Sequence, residues 1–221
     1  MGAHLSHAND ASTPLRYLAL GDSYTIGESV PAADRWPMQL AARLRDDDIA
    51  IADPEILATT GWTTDELSAA MDAHHFTPPY DLVSLAIGVN NQYRGRDLDN
   101  YAKELDALLS RAIGMAGGDA GRVFMLSIPD WGVTRFGQES GRDTDEISAQ
   151  LDAFNARAAK LCAKHGLAFV DISTVSRSRG GETAMMAGDG LHPSGALYAQ
   201  WTALALPVVH ELIRDTSAIG N

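Results

Sequence analysis

Attack by a serine hydroxyl on a carbonyl carbon requires a base to take the proton, and the base requires a carboxylate to fix its tautomer. The sequence holds such a set in two distant pieces. Asp189 and His192 stand three residues apart in Asp189-Gly190-Leu191-His192-Pro193, so one short turn can set carboxylate against imidazole. The hydroxyl must come from elsewhere in the chain, and Ser23 in Gly21-Asp22-Ser23 is the candidate. The tetrahedral oxyanion of such a reaction needs donors already in place. The backbone N–H groups of Ser23 and Gly61 and the side-chain amide of Asn90 are three that could converge.

Convergence depends on the elements that carry these residues. Arg16–Leu20 reads as a buried strand stopped by Gly21. Further strand-like runs are expected at 49–59, 81–87, 123–128 and 167–171. Helices are expected between them. Asp34 is read as the cap of a helix running to about Arg45, and Thr63 to Glu66 has capping-box spacing. An amphipathic helix is expected over 97–115 and another over 145–165, closed by Gly166. A last helix is expected from Pro193, in the first turn, to Arg214. Residues 130–144 read as a loop, and 172–191 show no clear period. Strands alternating with helices argue for one α/β domain, a parallel sheet of about five strands covered on both faces. In such sheets the ligand site lies beyond the carboxyl ends of the strands. Ser23, Gly61 and Asn90 all follow strands, and Asp189 to His192 precede the last helix.

Gly21-Asp22-Ser23, Gly61, Gly88-Val89-Asn90 and Asp189-Gly190-Leu191-His192-Pro193 resemble the four sequence blocks of the SGNH (GDSL) hydrolases, in the family's order and over residues 15 to 210. The resemblance implies a three-layer α/β/α sandwich with a flavodoxin-like sheet and ester hydrolysis through an acyl-enzyme. It makes Ser23 the nucleophile, His192 the general base and then acid, and Asp189 its orienting carboxylate. Ser23, Gly61 and Asn90 become the oxyanion hole, and neither a metal nor another cofactor is implied. Two positions depart from the family pattern. Asn91 follows Asn90 where the family usually has Asp, which is expected to alter local support or substrate contacts rather than abolish catalysis. Thr59 stands where the second block often has Asn.

Composition sets the surroundings. The chain has 221 residues and a net charge of −12. It lacks the Lys/Arg cluster of a nucleic-acid binder, and its acidity disfavours anionic membranes. No apolar run is long enough to span a bilayer. Residues 1–14 read as a disordered polar tail without a signal peptide, and 15–221 as the domain, so a cytoplasmic location is expected. Gly2 and Ser6 match a short myristoylation pattern, but no lipid anchor is expected. Cys162 is expected to be a buried, inert thiol, His74-His75 a solvated helix end, and Asp46-Asp47-Asp48 an exposed one. Asp22, Trp62, Asn91, Tyr93, Arg94, Trp131, Phe136, Met185 and Met186 are candidates for the substrate pocket. Arg94 reads equally as a surface ion pair.

The expected partner is a small-molecule ester with a short acyl chain. Thioesters, lysophospholipids and acetylated sugars suit the same constellation. Two readings from other classes remain. Ser23-Tyr24-Thr25-Ile26-Gly27 could cradle the phosphate of a flavin in an electron carrier, or the fold could serve as a binding module without activity.

Overall fold

The computed structural model describes residues 13–218, with side chains through 214. Nearly all of the expected tail, with Gly2 and Ser6, lies outside the described residues. The apolar runs form β1 (Tyr17–Gly21), β2 (Glu55–Ala58), β3 (Leu82–Ala86), β4 (Val123–Leu126) and β5 (Ala168–Val170). They pair in parallel in the order β2-β1-β3-β4-β5, the flavodoxin-like order. The central strands are buried along their whole length, which is why they read as continuous apolar runs rather than alternating ones.

The helices are α1 (Ser23–Ile26), α2 (Trp36–Asp46), α3 (Thr64–Ala73), α4 (Val89–Tyr93), α5 (Leu98–Met115), α6 (Arg135–Glu139), α7 (Thr144–His165), α8 (Ser173–Arg179) and α9 (Gly195–Ala218). Helices α2, α8 and α9 pack together on one side of the sheet, and α3, α5 and α7 on the other. The result is a three-layer α/β/α sandwich. In α5 the apolar face expected from Leu98, Tyr101, Leu105, Leu108, Leu109 and Ala112 is buried except at Leu98, which is only partly covered. Cys162 is fully buried in α7, and burial raises its thiol to about 12, leaving no thiolate to react.

Several stretches differ from expectation. Asp34 does not cap α2: it ends a single 3-10 turn over Ala32–Asp34, and the extended Arg35 takes the capping position without a side-chain bond. Pro193 is not in the first turn of α9. It pairs with Met186 in an antiparallel bridge, and the Ser194 N–H is spent on the Met185 carbonyl at 2.8 Å, so the chain stays extended until Gly195. The 130–144 loop contains α6, and 172–191 contains α8. Helices of five to seven residues are too short to display a 3.6-residue period.

Candidate active site

The order of the sheet changes direction between β1 and β3, and ligands collect at such a switch point. Two of the candidate residues leave the sheet there. Gly21 ends β1, and a Cβ on it would lie within 2.5 Å of the Ala86 carbonyl oxygen at the end of β3. Only glycine lets the two strand ends approach this closely. The chain then turns at once into α1. The Asp22 side chain caps α1 by accepting from the Tyr24 N–H at 3.0 Å, and Ser23 is its first residue. Ser23 is buried except for the face that lines a cleft of about 190 Å³. Asp22 points away from that cleft into a hollow of about 10 Å³ among Ala86, Leu126 and Trp201. It is 1% exposed, and burial pushes its carboxyl up to about 7 against the hydrogen bond from Tyr24.

The turn before α9 supplies the other half. Gly190, at φ +72°, lets the chain reverse so that Asp189 and His192 face each other. Asp189 Oδ2 accepts from His192 Nδ1 at 2.8 Å and from Ser29 Oγ at 2.6 Å. Its Oδ1 accepts from the N–H groups of Leu191 and His192, both at 2.9 Å. Partial burial works against the charge, but these bonds from Ser29, His192 and the backbone outweigh it and hold the carboxyl far below the usual range. An ionised Asp189 places the imidazole proton on Nδ1 and leaves Nε2 with a lone pair. The His192 ring is buried, leans on Tyr24 at 5.4 Å between centroids, and lines the same cleft as Ser23.

The third side of the cleft comes from the ends of β2 and β3. Gly61 has φ +88°, a left-handed conformation that glycine adopts without strain. The Thr59 carbonyl closes the turn by accepting from the Trp62 N–H at 3.3 Å, a backbone contact that does not depend on the side chain at 59. Asn90 lies in the first turn of α4, and its Nδ2 donates to the Trp62 carbonyl at 2.8 Å. An amide nitrogen carries two protons, so one remains for the cleft that Asn90 lines. Among the described residues, the N–H groups of Ser23 and Gly61 take part in none of the turn, loop or capping bonds.

The model of the GDSL-like lipase/acylhydrolase family matches residues 19–200. The chain belongs to this family. It is therefore a carboxylic ester hydrolase, with small-molecule esters as its substrate class. Solved structures of the same fold include TesA (TM-score 0.71, 19% identity, covering 89% of this chain and 99% of that one). The lipase/acylhydrolase of Enterococcus faecalis gives 0.69 and 19% over 90% and 97%. Axe2, an acetylxylan esterase from Geobacillus stearothermophilus, gives 0.66 and 18% over 88% and 94%. Comparison with curated proteins returned no match.

In this GDSL-family hydrolase the Asn91 departure has a structural reason. Asn91 is fully buried. Its Oδ1 accepts from the Thr64 N–H at 3.1 Å, at the start of α3, while its Nδ2 donates to Thr64 Oγ1 at 2.6 Å. Thr64 Oγ1 spends its only proton on the Glu104 carboxylate, so it can only accept from residue 91. Aspartate could not donate there and would add a buried charge near Glu104.

Of the residues expected around the substrate, Tyr93, Trp131 and Phe136 line the cleft. Their rings contact one another at 5.3 to 6.4 Å, and Trp131 is fixed by its Nε1 donating to Gln92 Oε1 at 2.8 Å. The other candidates are not part of its wall. Trp62 supplies a carbonyl to Asn90, Asn91 is buried against α3, and Arg94 is tied to Glu66 at 3.2 Å and to the Gly61 carbonyl at 2.6 Å. Met185 packs on the core, and Met186 faces a separate hollow beside Arg135. The extended segment before α9 carries both methionines away from Ser23. Tyr24, Thr60, Val89 and Leu191 complete the cleft. Each is a neighbour in sequence of a candidate residue, which is the signal that could have found them. Ser29 had no such signal. Among the described residues no group of three or more His, Cys, Asp or Glu side chains is placed to hold a metal, and no helix is long and apolar enough to cross a membrane.

Proposed function

We propose that this hydrolase cleaves esters of short-chain carboxylic acids through an acyl-enzyme on Ser23. The observation that carries the reading is that His192, which lines the same cleft as Ser23, is hydrogen-bonded through Nδ1 to Asp189. His192 Nε2 takes the Ser23 Oγ proton as Oγ attacks the ester carbonyl carbon. The resulting oxyanion accepts from the N–H groups of Ser23 and Gly61 and from Asn90 Nδ2. On collapse the C–O bond to the alcohol breaks, and the imidazolium returns its proton to the leaving oxygen. A water molecule then repeats the cycle on the acyl-enzyme with His192 as base. Asp189, kept ionised by the hydrogen bonds it accepts, offsets the charge of the imidazolium.

The cleft volume supports a short acyl chain: about 190 Å³ is below the roughly 300–1,000 Å³ of sites for drug-sized ligands. A second reading, a deacetylase acting on sugars, is favoured by the cleft mouth, where Tyr93 and Phe136 are 47% and 36% exposed. Flat aromatic faces there suit a broad alcohol portion better than a slender one. The phosphate-cradle reading is disfavoured because the buried Asp22 carboxyl already occupies the start of α1. Nitrophenyl esters of increasing chain length test the proposal. Turnover is expected to peak at the shortest chains, and a maximum at long chains would count against the acyl-pocket assignment.

A further inference from the structure

The two halves of the proposed triad lie more than 160 residues apart in the chain. Among the described residues, only one hydrogen bond joins residues 23–30 to residues 189–192. It is the bond from Ser29 Oγ to Asp189 Oδ2, at 2.6 Å, to the same oxygen that receives His192 Nδ1. Ser29 reaches that oxygen from a backbone with φ +64°. This is the left-handed region, uncommon for a residue with a Cβ. The loop that holds it there is fastened on both sides. Gly27 closes α1 at φ +67°, and the Glu28 N–H returns to the Ser23 carbonyl at 3.0 Å. The Glu28 carboxylate accepts from the hydroxyl of Thr60, next to Gly61. The loop following the nucleophile thus meets the oxyanion turn with one residue and the Asp189 turn with the next.

We infer that Ser29 is a positioning residue that sets the Asp189–His192 pair in register with Ser23. The inference rests on the triad reading above. Ser29 touches neither substrate nor the transferred proton. It supplies a fixed donor on the solvent side of Asp189, whose side chain is 31% exposed. Without that donor, mobile water must take its place, and the carboxylate can swing in its turn. The titratable and charged groups around His192 are Asp189 on its own turn and Tyr24 from α1. Asp22 and Asp130 lie near Tyr24, and Arg135 packs against Gly190. Removing the Ser29 hydroxyl leaves all of these in place. Because the lost bond had dispersed part of the Asp189 charge, that charge acts more strongly on the imidazolium even though the carboxylate is less fixed in place.

The test compares wild type with Ser29→Gly, which removes the hydroxyl and relaxes the backbone, and with Ser29→Ala, which removes it and keeps the strain. Nitrophenyl acetate turnover and the NMR titration of His192 are measured on each. Water replaces part of a charge-assisted bond, so kcat is expected to fall about three- to tenfold in Ser29→Gly with KM unchanged. The His192 midpoint should move to higher pH. A folded Ser29→Gly with wild-type kcat and an unmoved midpoint overturns the inference. If Ser29→Ala fails to fold, Ser29→Gly still decides. A shifted midpoint in a protein whose turnover does not depend on Ser23 would support the Ser29 contact and refute the esterase mechanism, so the two failures are distinguishable.

Discussion

Replacing Asp22 by asparagine tests the electrostatic description of the site, because this carboxyl sits at the end of β1 with almost no access to water. Its folded-state pKa rises from the ordinary 3.8 to about 7 through burial, opposed by the hydrogen bond from Tyr24. Between those two values the folded protein holds a proton that the unfolded chain has released. Stability therefore falls as pH rises through the window, and the whole penalty is present above about pH 7. Each tenfold change in proton affinity is worth about 1.4 kcal/mol, so the penalty is about 4 kcal/mol, a large part of the roughly 5–15 kcal/mol that holds a domain folded. The amide of the Asp22→Asn variant keeps an oxygen for the Tyr24 N–H and carries no charge. Urea unfolding at about pH 4 and about pH 8 measures the difference. The gain from Asp22→Asn should be small at the lower pH and approach about 4 kcal/mol at the higher one. Asp189, whose pKa is depressed, behaves in the opposite sense and loses its contribution as pH falls, but it does so equally in both proteins. An equal effect of the substitution at both pH values would refute the assignment of the raised carboxyl to Asp22.

Two further substitutions probe the site and the strand ends that hold it. Asn90→Ala removes one of three proposed oxyanion donors and should lower kcat on nitrophenyl acetate by about 10²–10³ with little change in KM; a loss under about threefold would remove Asn90 from that role. Gly21→Ala forces a methyl group against the Ala86 carbonyl and should destabilise the fold by about 1–3 kcal/mol, read as a lower urea midpoint. A midpoint within error of wild type would contradict the close approach of β1 and β3.

The sheet and the residues proposed for the triad and oxyanion hole were legible in the sequence for local reasons. Apolar runs ending in Gly21 or Gly88 mark buried strands, and the residues immediately after them fall at one edge of any parallel sheet. Asp189 and His192 needed only the geometry of a glycine turn. What escaped was set by contacts across the fold. Ser29 looks like any loop serine until the chain places it beside a residue 160 positions away. Asn91 looked like a lost charge until Thr64 and Glu104 showed that a donor is required there. Met185 and Met186 are close to Asp189 in sequence, but the bridge between Met186 and Pro193 turns that segment away from the cleft. Asp34 and Pro193 carried sound local signals for helix starts, and a 3-10 turn and a bridge displaced both.

Covalent labelling tests the proposed role of Ser23 as nucleophile without knowledge of the natural ester. Wild type and Ser23→Ala are each treated with a fluorophosphonate and read by intact mass and peptide mapping, with nitrophenyl acetate turnover followed in parallel. One adduct per chain is expected on the peptide containing Ser23, with loss of turnover as the adduct forms, and neither adduct nor turnover in folded Ser23→Ala. Full turnover in Ser23→Ala, or a stoichiometric adduct on another residue, would contradict that role.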